Sequence, residues 1–247
     1  MVLEGINTET HDLALIALKR MNMIRLIGAA IALVTATAGY AGTGKILFLG
    51  NSITLHGAKA SIGWTNTCGM AASAPEKDYV HIVTRAVGTT TGTAPITMVQ
   101  NISDFEKRYE TYDLAQLKKA LDFNADTIIV AIGENVLALA SEEAKAKFKA
   151  SVLKLLTALK GSNNPTILVR SSFWQNKAKD ETLKQACEEA GGVFVDISGL
   201  SKDESYFARS ERSYAHSGVA AHPGDKGMQA IADALLAALK TTKALSK

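Results

Sequence analysis

The segment Lys45–Ser52 reads KILFLGNS, and the interpretation of the whole chain starts from it. Its first part, Lys45–Leu49, is a short and largely apolar run, as is typical of a strand buried on both faces of a parallel sheet. The glycine that follows favours a tight turn. Ligands of open α/β sheets bind outside the carboxyl ends of the strands. The segment therefore predicts that Ser52 stands at the ligand-binding edge of a sheet.

Apolar runs and helical patterns alternate along the rest of the chain. The runs predict strands at Lys45–Leu49, Ile96–Gln100, Thr127–Ile132, Thr166–Arg170 and Val193–Ile197. Helical spacing of apolar residues predicts helices at Tyr112–Phe123, Ser141–Lys160, Lys179–Ala190 and Lys226–Leu239, with a short one near Lys77–Val87. We expect Gly191 to close the third long helix and Asp225 to cap the last. This alternation predicts an α/β fold, a three-layer α/β/α sandwich around a central parallel sheet of about five strands.

Composition is that of an ordinary globular protein. The chain has 247 residues, of which 47% are apolar and 21% charged, enough for one α/β domain with a sizeable core. We expect a single domain over residues 42–247, preceded by an N-terminal extension over residues 1–41. The formal charge of +3 comes from scattered basic residues, so nucleic acid is not an expected partner.

The N-terminal extension has the pattern of a secretory signal. A basic start at Met23–Arg25 is followed by the apolar stretch Leu26–Val34 and then by small residues up to Ala41. The apolar stretch is short for a membrane span, which needs about 20 residues. We expect a cleaved signal peptide over about residues 21–41, a start codon at Met21 or Met23, and a secreted or periplasmic protein with no stable membrane span. An uncleaved anchor and a buried helix are the alternatives.

The sequence contains no motif for a metal or a nucleotide. Cys68 and Cys187 are the two cysteines; they could pair in an exported protein or stay as separate buried thiols. CxxC and HExxH spacings do not occur. Gly39–Lys45 matches the start of a phosphate-binding loop, but Ile46 follows where Ser or Thr would bind Mg²⁺, and the match precedes a strand. We expect neither a cofactor nor a metal.

Three short motifs together carry a family resemblance. Gly50-Asn51-Ser52 follows the first strand, Gly133-Glu134-Asn135 follows the third, and His222-Pro223 precedes the last helix. In this order and at these junctions, they resemble the SGNH/GDSL hydrolase family over roughly Lys45 to Leu239. The resemblance implies a flavodoxin-like fold and a carboxylic ester hydrolase.

The resemblance also implies a role for each motif. Ser52 would be the nucleophile and His222 its general base. The oxyanion would be bound by the Ser52 backbone N–H, by the side-chain amide of Asn135 and by a third backbone donor. Ser103 occupies the place where the family has a glycine for that third donor, and Gly69 is its rival.

One position departs from the family pattern. The family has an aspartate three residues before the histidine, and here that residue is Val219. A backbone carbonyl could orient His222 in its place, which would make a Ser-His dyad, or a carboxylate could come from Glu134 or Asp196. His216 is a rival for the base itself.

The function expected from the resemblance is an exported serine esterase. It would hydrolyse short-chain acyl esters, most simply acetyl esters, on a carbohydrate through an acyl-enzyme. Asn51, Trp64 and Trp174 are candidates for lining the substrate site, although a tryptophan in the core is the plainer interpretation. A catalytically silent glycan-binding protein, an acyltransferase and a lipid esterase are the alternatives. The expected partner is a small-molecule or polysaccharide ester, and the sequence leaves the oligomeric state open.

Overall fold

The centre of the fold is a five-stranded sheet in which all strands are parallel. The computed structural model describes residues 44–242 and 244–245. The strands are β1 (Lys45–Gly50), β2 (Ile96–Asn101), β3 (Thr127–Ala131), β4 (Thr166–Arg170) and β5 (Val193–Val195). Their order in the sheet is β2-β1-β3-β4-β5. The predicted α/β fold class and the parallel sheet are confirmed.

The helices cover both faces of this sheet. They are α1 (Tyr79–Thr91), α2 (Ser103–Arg108), α3 (Lys118–Asp122), α4 (Glu142–Lys160), α5 (Lys177–Glu189), α6 (Ser217–Ala220) and α7 (Asp225–Lys240). Alternate residues of β1 enter different cores: Phe48 packs in a cluster with residues of α1 and α7, and Leu47 in a second cluster with residues of α4 and α5. Each core is closed by helices, and this gives the three layers.

The strand order places a crevice beside β1. The chain runs from β1 to β2 on one side and later returns to β3 on the other, so the connections diverge between β1 and β3. In doubly wound sheets ligands bind outside the carboxyl ends of the strands at such a point. The segments after Gly50 and Ala131 flank it.

Several element boundaries differ from the expectation. The helix expected over Tyr112–Phe123 is a 3₁₀ turn at Leu114–Leu117 continued by the short α3, and α2 and α6 were not anticipated. Asp225 does not cap the last helix: Gly224 is the N-cap, and the Asp225 carboxylate accepts hydrogen bonds from Ser73 and Arg212. Gly191 does follow α5 with a positive φ of 75°.

Both cysteines are buried free thiols. Burial raises the pKa of each to about 12. Within residues 44–242 and 244–245, no helix is long and apolar enough to cross a bilayer. The expected signal peptide lies outside the described residues.

Candidate active site

A tight turn after β1 delivers Ser52 to the crevice. Gly50 permits it, because a Cβ there would collide with the side chain of Thr54 and lie 2.8 Å from the carbonyl oxygen of Ala131. The Asn51 carbonyl then accepts hydrogen bonds from the N–H groups of Thr54 (3.0 Å) and Leu55 (2.9 Å). Ser52 is therefore held on a closed turn at the end of a buried strand.

His222 reaches Ser52 from the far end of the chain. Its Nε2 lies 2.8 Å from Ser52 Oγ, although 170 positions separate the two residues. Its Nδ1 lies 2.6 Å from the carbonyl oxygen of Gly218. A carbonyl can only accept, so Nδ1 carries a hydrogen, and in the neutral ring Nε2 is left with a lone pair. The geometry thus gives His222 the tautomer that accepts the Ser52 hydroxyl proton.

The environment of His222 favours its neutral form. Burial lowers the pKa of His222 below its ordinary value, and the nearby His56 acts in the same direction. The Gly218 carbonyl and the more distant Glu134 carboxylate oppose this shift. A neutral imidazole is the state in which a general base can take a proton.

The loop around His222 is fixed by contacts on several sides. The indole of Trp174 meets the imidazole edge to face, with ring centroids 5.2 Å apart and an interplanar angle of 90°. Its Nε1 donates to the carbonyl of Ala221 at 3.2 Å. On the other side, the N–H of Ala208 donates to the His222 carbonyl at 2.8 Å. Trp174 therefore braces the histidine, and it is not among the residues that line the cavity beside Ser52.

None of the side chains proposed to orient His222 makes a hydrogen bond to it. Val219 is buried and apolar, and its backbone carbonyl accepts from the His222 N–H at 3.0 Å. Glu134 is hydrogen-bonded elsewhere, to Asn51, Arg170 and the Phe173 N–H. Asp196 accepts from Ser171 and Ser198. The group that faces Nδ1 is the backbone carbonyl of Gly218.

The imidazole hydrogen-bonded to Ser52 is that of His222, and His216 instead caps α6. Its Nδ1 accepts from the N–H of Gly218 at 3.1 Å. Gly218 therefore lies between the two histidines, with its N–H toward one and its carbonyl toward the other.

The expected oxyanion donors fall into two groups. The side chains of Ser52 and Asn135 line one cavity, and the N–H of Ser52 has no hydrogen-bond partner among the described residues. The N–H of Ser103 already donates to Asn101 Oδ1 at 2.9 Å, although Ser103 lines the cavity. The N–H of Gly69 donates to Asp78 at 3.0 Å. The N–H groups of Ser103 and Gly69 both have acceptors within the protein, so a third donor at either position stays a prediction.

A buried polar cluster lies beneath Ser52. Asn51 is fully buried, so its expected place among substrate-lining residues is wrong. Its Nδ2 donates to Glu134 at 2.6 Å and to Glu106 at 3.2 Å. Glu134 also forms an ion pair with the buried Arg170 at 2.7 Å. An asparagine fits here because its amide separates two carboxylates that would otherwise repel each other.

The two carboxylates of this cluster differ in their electrostatic surroundings. Burial and the charge of Glu134 raise the pKa of Glu106. Burial also acts to raise the pKa of Glu134, but Arg170 and the hydrogen bonds from Phe173 and Asn51 outweigh it, so the net shift is downward. Glu134 is therefore the more firmly ionised of the pair.

The site opens into a polar cavity of about 510 Å³. Its lining includes Ser52, His56, Ser103, Lys107, Tyr112 and Asn135. Trp64 is not among the lining residues: it is 4% exposed, packs in the core and donates from Nε1 to the His56 carbonyl. Its expected role in lining the substrate site is therefore wrong.

Sequence reasoning missed several residues that the structure brings to the site. Glu106 and Arg170 meet Asn51 and Glu134 in the buried cluster, while Tyr112 lines the cavity. A single sequence offers little signal for them, since Glu106 stands in a short polar helix that resembles a surface helix. Within residues 44–242 and 244–245, no group of three or more His, Cys, Asp or Glu residues is placed to hold a metal ion.

Comparison with solved structures identifies the class of fold. A putative GDSL-like lipase from Parabacteroides merdae is similar with a TM-score of 0.52 and 20% identity, over 80% of this chain and 95% of that one. One from Bacteroides uniformis has a TM-score of 0.54 and 14% identity, over 82% and 98% of the two chains. The acetyl xylan esterase AlAXEase has a TM-score of 0.50 and 17% identity, over 79% and 99%.

The chain has the SGNH/GDSL hydrolase fold. No protein-family model matches the sequence, and no curated protein matches it significantly. At identities of 20% and below, these structural similarities establish the fold alone, and the chemistry depends on the residues of the site.

Proposed function

We propose that this protein is a serine esterase that acts through a Ser52-His222 dyad. The observation that carries the proposal is the 2.8 Å contact between Ser52 Oγ and His222 Nε2, together with the carbonyl of Gly218 on Nδ1. A serine becomes a useful nucleophile only when a base is within hydrogen-bond reach. The lowered pKa of His222 keeps that base neutral near pH 7.

The reaction would proceed in two steps, acylation of Ser52 and deacylation by water. In the first, Ser52 Oγ attacks the ester carbonyl while its proton passes to His222 Nε2. The tetrahedral intermediate then collapses: the bond to the leaving oxygen breaks, Nε2 protonates that oxygen, and an acyl-serine remains. In the second half, Nε2 takes a proton from water, the hydroxide attacks the acyl-serine, and Nε2 returns the proton to Ser52 as the acid leaves.

Two donors would stabilise the oxyanion of each tetrahedral intermediate. The Ser52 backbone N–H has no hydrogen-bond partner within the described part of the chain, and Asn135 lines the cavity beside Ser52. Loss of one preorganised donor of this kind costs about 3 kcal/mol of transition-state stabilisation. A backbone carbonyl stabilises the imidazolium less than an aspartate would.

The substrate we propose is a short acyl ester, most simply acetyl, on a carbohydrate. The cavity beside Ser52 is lined mainly by polar side chains, which suit sugar hydroxyls better than a long alkyl chain. The resemblance to an acetyl xylan esterase supports the same class. The signal-like segment within residues 21–41 supports export, where polysaccharide esters are found.

The test compares ester hydrolysis by the wild type and by Ser52→Ala. We expect release of acetate from acetylated xylan, hydrolysis of p-nitrophenyl acetate in preference to the octanoate, and loss of both in Ser52→Ala. A fluorophosphonate probe should label the wild type and not the variant. Labelling that persists in Ser52→Ala would place the nucleophile elsewhere.

A second candidate function is glycan binding without catalysis, which the valine at position 219 favours because, among the described residues, no carboxylate is hydrogen-bonded to the imidazole. Binding of xylan oligosaccharides, with equal inertness toward esters in the wild type and Ser52→Ala, would select it. Transfer of the acyl group to a sugar hydroxyl instead of water would indicate an acyltransferase, and preference for the octanoate a lipid esterase.

A further inference from the structure

Glu106 is a buried carboxylate that the proposed reaction does not use. It lies on α2, directly after β2, and is completely inaccessible to solvent. Its Oε1 accepts from the N–H of Gly133 at 2.7 Å and from the N–H of Asn135 at 3.1 Å. Its Oε2 accepts from Nδ2 of Asn135 at 2.8 Å. One side chain from α2 thus holds both the main chain and the side chain of the loop after β3.

The contacts of this carboxyl group are all of one kind. With the amide of Asn51 added, every hydrogen bond that the described part of the chain makes to the Glu106 oxygens comes from an N–H donor. An ionised carboxylate can only accept, so this donor set matches the charged form. A buried carboxylate that lost these donors would raise the free energy of the folded state, so folding favours the arrangement in which all of them are bound.

These contacts fix the orientation of the Asn135 side-chain amide. An asparagine amide has two nearly equivalent orientations, and its neighbours decide between them. The structure places Nδ2 of Asn135, and not Oδ1, against Oε2 of Glu106, which is the orientation that an ionised carboxylate requires. One N–H of that amide group is bound to Oε2, and the second is left for the cavity that Asn135 shares with Ser52.

We propose that Glu106 is a positioning residue that orients the Asn135 amide as an oxyanion donor. This inference rests on the proposed esterase function. Glu106 is fully buried, and its hydrogen bonds go to Asn51, Gly133 and Asn135 and not to Ser52. It acts through Asn135, by fixing which end of the amide faces the carboxylate and by holding the Gly133–Asn135 loop in place.

The Glu106→Gln variant tests this orientation with almost no change in shape. If the glutamine oxygen replaces Oε1 and accepts from the two backbone N–H groups, its Nε2 faces Nδ2 of Asn135, donor against donor. The Asn135 amide must turn over to present Oδ1, and the donor to the oxyanion moves away. We expect kcat to fall by about 10²- to 10³-fold, as for loss of one oxyanion donor, with KM changed by less than about threefold.

A double-mutant cycle separates this role from general support of the fold. In the Asn135→Ala background there is no amide to orient, so Glu106→Gln should lower kcat by less than about threefold. Asp180→Asn is the matched control: Asp180 is also a buried carboxylate that accepts backbone N–H bonds, from Ser172 and Asn176, but it does not touch Asn135. Its effect should be the same in both backgrounds. An equal loss of kcat from Glu106→Gln in both backgrounds, or a rise in KM at constant kcat, would overturn the proposal.

Side-chain amide NMR provides a readout that does not depend on activity. With ¹⁵N-labelled asparagine, the resonance pair that disappears in Asn135→Ala should show one strongly downfield proton in the wild type, because it is bonded to a carboxylate. That shift should vanish in Glu106→Gln. An ordinary Asn135 pair in the wild type would refute the proposal even if Glu106→Gln did not fold. The expected downfield proton in a wild type that hydrolyses no ester would refute only the esterase function.

Discussion

Replacement of Asn51 by aspartate is the sharpest test of the buried cluster beneath Ser52. The change is almost isosteric, but it converts a donor into a carboxyl group placed 2.6 Å from Glu134 and 3.2 Å from Glu106. Three carboxyl groups would then share Arg170 as the buried cation that pairs with Glu134. The introduced aspartate must take up a proton to remain folded, because like charges at this distance cannot all stay ionised.

The free energy needed to protonate the introduced aspartate sets the size of the destabilisation. An unperturbed aspartate has a pKa of about 3.9, and each pKa unit corresponds to about 1.36 kcal/mol, so protonation at pH 7 costs about 4 kcal/mol. The hydrogen bond lost to Glu106 adds roughly 1 to 2 kcal/mol at any pH, because the protonated carboxyl group can donate to only one carboxylate. At pH 5 the protonation cost falls to about 1.5 kcal/mol.

The sign of the pH dependence follows from linkage. In the folded Asn51→Asp variant the pKa of the introduced carboxyl group is raised above its unfolded value, so the unfolded state releases the proton first as pH rises. The variant therefore loses stability relative to the wild type between pH 5 and pH 7, by about 1.4 kcal/mol per pH unit. In a domain of this size a loss of about 5 kcal/mol lowers Tm by roughly 10 to 20 °C at pH 7.

Urea unfolding at pH 5, 6 and 7 measures this difference, with Asn124→Asp as the control. Asn124 is exposed, so the same chemical change there should alter the free energy of unfolding by less than about 0.5 kcal/mol at every pH. If Asn51→Asp costs no more than the control, or costs the same at pH 5 and pH 7, then the cluster does not carry the charges inferred for it.

Three further predictions concern the site. The acid limb of kcat/KM on p-nitrophenyl acetate should have its midpoint below pH 6.5, because burial lowers the pKa of His222 and only the neutral ring accepts the Ser52 proton; a midpoint above 6.5 contradicts this. Trp174→Ala should lower kcat about 2- to 10-fold with little change in KM, since an aromatic contact worth about 0.5 to 1.5 kcal/mol no longer holds the imidazole. Gly133→Ala should reduce the free energy of unfolding by about 2 to 4 kcal/mol, because Gly133 has a φ of 126° and an added Cβ would meet the side chain of Ser172. An unchanged denaturation midpoint would show that alanine is not strained at this position.

The sequence by itself was sufficient for the architecture. Buried strands and amphipathic helices have local periodicities, so the five strands could be placed to within one or two residues. Because parallel strands end at one edge of a sheet, the segments that hold Ser52 and Asn135 were expected to lie near each other, and the family resemblance added His222 through its His-Pro motif. The helix expected over Tyr112–Phe123 was shortened, since its apolar spacing is also compatible with a 3₁₀ turn followed by a short helix.

Only the tertiary structure decided which groups meet. Asn51 binds Glu106 and Glu134 across 55 and 83 positions, and no local pattern reveals such pairs. Likewise, the N–H groups of Ser103 and Gly69 already have acceptors, and the partner of His222 is the carbonyl of Gly218, a backbone atom that every residue type possesses. Hydrophobic patterning is read along the chain, whereas the partner of a buried polar group is set by which segments the fold brings within about 3 Å of each other.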